Sequence, residues 1–213
     1  MNMIDNRQNI INATDRLLQT HGLACLTTSK IAREAKVAEG LIYHHFKDKA
    51  ELIFEVVITR VQETKNLMQN LPLEVGKRTL PENLENILFA VYQAHYRITP
   101  IICSIFADQH LQLRIQEIVK EREMGPKFAI EGLAVYLAAE QRLARLSNAV
   151  DTQVLAKCLW MISTQFAMLE KMMGNDPDAK QVRHEIRNYI KTVMNGLEPQ
   201  SKTEKKTDLK KKK

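Results

Sequence analysis

The chain has 213 residues, of which 45% are hydrophobic and 26% charged, a composition typical of folded globular proteins that excludes a largely disordered chain. The formal charge is +6, but residues 201–213 hold seven lysines against two acidic residues, which leaves 24 basic and 23 acidic residues elsewhere. Net charge therefore does not by itself indicate nucleic-acid binding.

Apolar residues recur at helical spacing along most of the chain, and only 7 Gly and 6 Pro interrupt them. This pattern predicts an all-α protein of about nine helices. Thr27 or Thr28 and Asp48 are suitable caps for the helices that follow them. The predicted helices cover residues 6–21, 29–35, 39–46, 48–70, 82–98, 100–121 with a possible break near Asp108, 126–146, 152–173 and 178–196, with a loop at 71–81 and boundaries at Thr99-Pro100 and Gly125-Pro126.

Several features indicate a cytoplasmic protein that does not enter a membrane. The N-terminus lacks the pattern of a signal peptide, and the most apolar stretch, 155–169, is interrupted by polar residues. Cys25, Cys103 and Cys158 are odd in number and widely spaced, which argues against a disulfide framework, and the last two are expected in the core. The Lys-rich tail, 201–213, is too polar to pack and is predicted to be disordered.

Two short predicted helices, 29–35 and 39–46, are separated by about three residues, which is the spacing of a helix-turn-helix. The first would support the second, whose N-terminal residues could then face base edges in a major groove. Polar and basic side chains that can donate to phosphate oxygens surround small residues that permit close approach. The donors are Lys30, Arg33, Lys36, Tyr43, His44, His45, Lys47 and Lys49, and the small residues are Ala38 and Gly40.

Residues 26–53, LTTSKIAREAKVAEGLIYHHFKDKAELI, resemble the TetR (TetR/AcrR) family of bacterial helix-turn-helix transcriptional regulators. The matching positions are Thr27, Ile31, Ala32, Ala35, Val37, Gly40, Ile42, Tyr43, His45, Phe46, Lys49 and Leu52. Lys36 stands where the family usually has a glycine of positive φ, and Ala38 replaces a frequent serine. A left-handed Lys36 would cost about 1 kcal/mol.

The resemblance implies a DNA-binding site in the first 50 residues. Phosphates would be held by Thr27, Tyr43 and Lys49, with His44 also at the backbone. Bases would be contacted by Ala38, Glu39, Leu41 and His45, with Thr28 or Ser29 nearby; Lys36 and Gly40 complete the predicted site. Glu39 could accept from a cytosine amino group, or it could be a solvated charge that the helix dipole favours.

The resemblance also implies that residues 51–200 form a helical effector-binding and dimerisation domain, with 47–70 as the connecting helix. Residues 152–173 are apolar nearly all round, which suggests cover on two sides, although a buried helix of a monomer looks the same. The predicted dimer interface comprises Trp160, Met161, Met168, Met172, Val182, Ile186, Tyr189, Ile190 and Val193. An apolar effector would contact Tyr92, His95, Tyr96, Cys103, Phe106, Gln109, His110, Phe128, Tyr136 and Gln165, each of which could equally be an ordinary core residue.

No motif for catalysis, nucleotide binding or metal binding occurs. The chain has no GxGxxG, GxxxxGK[ST], GxSxG or HExxH, and adjacent residues such as His44 and His45 chelate poorly. We therefore expect no cofactor, no metal and no enzymatic activity. The predicted protein is a homodimeric repressor that binds a palindromic DNA operator and is released by a small molecule. A helical scaffold protein and a cofactor-free helical enzyme remain alternatives.

Overall fold

The computed structural model describes residues 3–196, and all regular structure within that range is helical. The nine α-helices of these residues confirm the predicted all-α fold. They are α1 (Met3–His21), α2 (Thr28–Ala35), α3 (Glu39–His45), α4 (Lys49–Asn70), α5 (Leu80–Phe106), α6 (Gln109–Glu121), α7 (Pro126–Arg142), α8 (Thr152–Met172) and α9 (Ala179–Asn195), with short 3₁₀ turns at Leu23–Cys25 and Leu71–Glu74. The predicted disordered tail, 201–213, lies outside the described residues.

Local side chains determine where several helices begin. The Thr27 hydroxyl accepts the N–H of Lys30 at 3.3 Å, and the Asp48 carboxylate accepts that of Glu51 at 2.7 Å. Both residues are therefore N-caps, as predicted, and satisfy backbone donors that a helix leaves unpaired. Thr79 begins α5 with a reciprocal capping box.

α5 runs without interruption through Pro100, so the predicted boundary at Thr99-Pro100 is wrong, whereas the break near Asp108 is confirmed. Proline removes one backbone donor from a helix interior. Here Arg60 Nη1 donates to the carbonyl of Arg97 at 2.6 Å, close to the disturbed turn. Beyond it, Ile101 is buried in the apolar core, which compensates for the lost hydrogen bond.

Two main apolar clusters lie along the chain. The first unites α1 to α4, and it includes Ile101 and Ile105 from the end of α5. The second packs α5 against α7, α8 and α9. Since α5 contributes to both clusters, it connects the helix-turn-helix to the C-terminal helices.

Candidate nucleic-acid interface

The turn between α2 and α3 is left-handed at Lys36, with φ 57° and ψ 43°. The N–H groups of Lys36 and Val37 donate back to the carbonyls of Arg33 and Ala32 at 3.3 and 3.0 Å. These bonds satisfy the last turn of α2. A non-glycine residue in this conformation costs about 1 kcal/mol. The turn nevertheless keeps its left-handed geometry with a lysine at this position.

Buried apolar side chains hold α3 in its orientation. Ile31 and Ala32 of α2 and Ile42 of α3 are 0%, 5% and 3% exposed, and Phe46 closes the end of α3 at 2%. All four belong to the cluster formed with α1 and α4. The opposite side of α3 consequently faces outward.

Most of the predicted DNA-contacting side chains are exposed. Exposed members are Thr27, Ser29, Lys36, Ala38, Glu39, Gly40, Tyr43, His44 and Lys49, while Thr28, Leu41 and His45 are partly buried. The Tyr43 side chain is 59% exposed, although a buried aromatic is the commoner case. A Cβ built on Gly40 would meet nothing within 4 Å, so the start of α3 is open to a close partner.

Glu39 already has a partner within the protein. The Thr28 hydroxyl donates to its carboxylate and so joins the start of α2 to the start of α3. Both residues belong to the predicted site, but their contact could not be predicted, because eleven positions separate them in the sequence. A base contact by Glu39 would have to share or replace this hydrogen bond.

His45 is less available than its neighbour His44. Its Nε2 is enclosed and has no hydrogen-bond partner among the described residues. Burial lowers the pKa of His45, and the nearby charges of His44 and Arg7 lower it further. His45 is therefore held as a neutral ring, and base contact through Nε2 would require the side chain to move.

Three of the predicted effector residues come together on α5. Tyr92 and Tyr96 stack with ring centroids 5.9 Å apart, and the His95 ring meets the edge of Trp160 at 5.3 Å. Phe166 of α8 lies 4.9 Å from Tyr92. These five residues form what we call the aromatic cluster.

The buried side of the aromatic cluster is incompletely hydrogen-bonded. Tyr92 is 4% exposed, and its phenol oxygen has no partner among the described residues. Burial, and then the charge of Glu170, raises the pKa of Tyr92, so the phenol stays protonated. An unsatisfied buried hydroxyl is costly, and a ligand acceptor could satisfy it.

The remaining predicted effector residues do not join this cluster, so the ten side chains do not line one cavity of the protomer. Cys103 is exposed rather than in the core. Tyr136 is buried but accepts from Asn83 at 2.9 Å, in a separate polar contact. The other dispersed members, Phe106, Gln109, His110, Phe128 and Gln165, are exposed.

Two cavities lie beside α8 and α9. An open cleft of about 780 Å³ is lined by Phe166, Glu170, Tyr189 and other residues of the two helices. A smaller, mostly apolar cavity of about 210 Å³ is lined by Leu84, Leu159 and their neighbours. Neither includes a predicted effector residue among its lining.

The predicted dimer residues divide into core and surface. Trp160, Val182, Ile186 and Ile190 are buried within the protomer, so little of their surface is left for a partner to contact. Met161 and Met172 remain on the surface, 56% and 69% exposed. The half-buried members are Met168, Tyr189 and Val193.

α8 carries an outward apolar face, and only Met161 and Met172 of this face belong to the predicted dimer interface. Val154 and Leu169, 55% and 47% exposed, align with Met161 and Met172 at helical spacing. We call these four residues the α8 stripe. The outer side of α9 is mainly polar, with Lys180, His184, Arg187, Asn188 and Lys191 exposed. α8 therefore offers the larger apolar surface of the two.

Neither a membrane span nor a metal site is evident between residues 3 and 196. No helix in this range is long and apolar enough to cross a bilayer. The same residues contain no group of three or more His, Cys, Asp or Glu side chains placed to hold a metal ion.

Comparison with known sequences locates the similarity in the first part of the chain. Residues 10–56 match the family model for bacterial regulatory proteins of the tetR family. The nucleoid occlusion factor SlmA of Aliivibrio fischeri (strain MJ11) is 31% identical over 126 residues, which cover 56% of this chain and 64% of SlmA. The match thus spans less than two thirds of that relative.

Solved structures extend the similarity of the fold to most of the chain. A protein of Mesorhizobium loti assigned to the TetR family superposes with a TM-score of 0.72 at 15% identity, covering 90% of this chain and 96% of its own. The regulator FadR of Bacillus subtilis, in complex with stearoyl-CoA, gives 0.65 at 16% identity, covering 90% and 99%. At such identities the likeness shows a common fold.

Proposed function

From the chain's membership of the TetR family of bacterial regulatory proteins, we propose that it is a DNA-binding transcriptional regulator. The observation that carries the proposal is the outer face of α3, whose orientation is held by the buried Ile42 and Phe46. Tyr43, His44 and Lys49 present donors for phosphate oxygens beside an open α3 N-terminus. α3 is the recognition helix in this proposal, and it lies in a major groove.

The regulator acts as a homodimer on a palindromic operator. Two copies of α3 related by a two-fold axis match half-sites about 34 Å apart, one turn of DNA. The α8 stripe supports this assembly, because its four large apolar side chains need cover that the protomer does not provide. Two such stripes crossing at the axis would cover each other.

DNase footprinting on the DNA that flanks the protein's own gene tests the function. A protected palindrome is expected, whereas weak and uniform binding along the DNA would overturn the proposal. Tyr43→Phe should weaken binding about two- to tenfold on every sequence, because one hydrogen bond to phosphate is lost and no base contact changes. Tyr96→Phe, measured without any effector, is the matched control, since Tyr96 lies on α5 and should leave the footprint unchanged.

The regulator is further proposed to be a repressor that an apolar small molecule releases from DNA. FadR, whose structure contains stearoyl-CoA, supports an effector with a long apolar part. The aromatic cluster is the proposed contact surface, because Tyr92 offers an unsatisfied hydroxyl among apolar rings. A ligand bound there should raise the thermal midpoint of unfolding, and Tyr92→Phe should reduce that shift.

A further inference from the structure

Two arginines of α6, Arg114 within the helix and its C-cap Arg122, form ion pairs with the N-terminal end of α4. Arg114 Nε lies 2.8 Å from Asp48 Oδ2, and Arg122 Nη2 lies 2.5 Å from Glu51 Oε1. Arg122 also bonds to Glu55 through Nη1. These contacts connect residues 66 to 71 positions apart in sequence, so they depend on where α6 lies against α4.

The same carboxylates hold the backbone that directly follows α3. Asp48 uses Oδ1 to accept the N–H of Glu51 at 2.7 Å, and Glu51 uses Oε2 to accept the N–H of Lys47 at 2.8 Å. Each carboxylate thus has one oxygen on the segment from Lys47 to Glu51 and the other on an arginine of α6. Lys49, a proposed phosphate ligand, lies within that segment.

A second route leads from α6 to the end of α3 through α1. Glu55, bonded to Arg122, also pairs with Arg7 Nη2 at 3.0 Å. The Arg7 guanidinium lies over the ring of Phe46, 5.1 Å from its centroid, and Phe46 is the C-cap of α3. Arg122 itself covers the ring of Phe54 at 5.2 Å. Contacts therefore run continuously from α6 to both ends of the segment after α3.

These carboxylates are more sheltered than ordinary surface groups. The side chains of Glu51 and Glu55 are 17% and 13% exposed, which weakens the screening of their pairs by water. Burial alone would raise the pKa of Asp48 and Glu55, but hydrogen bonds from Arg114 to the first, and from Arg122 and Arg7 to the second, lower both. The pairs are thus stable, charged connections at neutral pH.

We infer that Arg114 and Arg122 are positioning residues for DNA recognition, which set the end of α3 and the place of Lys49 without contacting DNA themselves. The inference rests on the proposed function and assigns α6 a part in it. A displacement of α6 would break the ion pairs and release the Lys47–Glu51 segment. Operator affinity should then fall although every predicted DNA-contacting side chain remains.

The test is the salt dependence of operator affinity for Arg114→Gln, Arg122→Gln and the double variant. Affinity should fall about five- to twentyfold, the lower part of the range of typical coupling between sites, while the slope of log K against log salt falls by no more than about 0.9, the one phosphate contact that a displaced Lys49 can lose. Lys49→Gln is the reference for a phosphate contact and should reduce the slope by about 0.9. Arg114→Lys and Arg122→Lys retain the charge and should recover part of the affinity.

Arg183→Gln is the matched control. Arg183 has the same 35% side-chain exposure as Arg122 and also forms an ion pair, with Glu85 at 3.0 Å, but it lies on α9. Its operator affinity should equal that of the parent. Thermal midpoints and the fraction of active protein, measured for every variant, separate positioning from unfolding. Combining Arg122→Gln with Glu55→Gln should cost less than the sum of the single changes, since each breaks the same pair.

Each remaining outcome decides against the inference. Unchanged affinity would show that α6 does not position the Lys47–Glu51 segment. A slope lowered by about one per arginine, and so by about 1.8 in the double variant, would make these residues phosphate ligands. Loss of affinity that only follows the loss of folded protein would make them structural. If the parent itself binds no specific operator, the proposed function fails, and that result is distinct from these three.

Discussion

Single residues in the helix-turn-helix combine a structural role with a proposed binding role. Lys36 has a backbone conformation that favours glycine, yet its exposed ammonium is suited to a phosphate. Glu39, a candidate for base contact, also holds the two helices together through Thr28. At position 36, the proposed phosphate contact therefore comes at some cost in stability.

Lys36→Gly should stabilise the protein and weaken its binding to DNA. Relief of the left-handed strain should add about 1 kcal/mol to the free energy of unfolding, a rise of about 2–4 °C in Tm for a chain of this size. Loss of one phosphate contact should lower the salt slope by about 0.9. Lys36→Ala removes the same charge but keeps the strain, so it should show only the binding effect; equal Tm values for the two variants would contradict the account.

At the scale of elements, α8 and α9 have the same type of amphipathic pattern, but their apolar residues lie in different surroundings. Val182, Ile186 and Ile190 of α9 face α5, whereas the α8 stripe faces outward. Both helices have apolar residues at helical spacing, and spacing alone does not show which neighbour covers them. α5 is a further example. Pro100 predicted the end of a helix, but α5 continues through it because the helix is packed on both sides of the proline.

Met161→Glu should dissociate the proposed dimer without unfolding the protomer. Met161 is 56% exposed, so the charge remains solvated in the free protomer but would be buried between two α8 stripes. The dimer dissociation constant should rise about thirtyfold or more, as measured by analytical ultracentrifugation. Leu73→Glu is the control, because Leu73 is 64% exposed and lies outside the stripe; equal effects of both changes would rule out this interface.

At the scale of the whole molecule, two partly buried histidines link stability to pH. Burial lowers the pKa of His95 by more than its hydrogen bond with the Val91 carbonyl raises it, and burial likewise lowers that of His45. The His95 ring belongs to the aromatic cluster, and the His45 ring lies at the end of α3. Mild acid should therefore destabilise the aromatic cluster and the end of α3 together.

The free energy of unfolding should fall as the pH drops below about 6.5, the ordinary pKa of histidine, because the unfolded chain binds protons more readily than the folded one. This contribution is fully present above that pH and is lost as the pH approaches the lowered folded pKa values. Urea unfolding between about pH 8 and pH 5 measures it. His95→Gln should flatten the dependence, and a variant curve parallel to that of the parent would exclude His95 as a source.

The sequence by itself determined the helices, their main caps and the helix-turn-helix, because these depend on residues only a few positions apart. Thr27, Asp48 and the dozen family positions between 27 and 52 could be recognised without any tertiary contact. The all-α fold is confirmed, and residues 10–56 match the family model that the resemblance predicted, whereas the predicted site residues stay predictions.

Only the tertiary structure decided which face of each helix is covered and which charges meet. It assigned Ile186 to the core and left Met161 exposed, and it paired Arg122 with Glu51 and Glu55 across 71 and 67 positions. Such contacts arise from helix packing, which brings together residues whose separation in sequence carries no local signal. For the same reason the predicted effector residues, chosen by type and helix, divide among the aromatic cluster, the separate buried contact of Tyr136 and the surface.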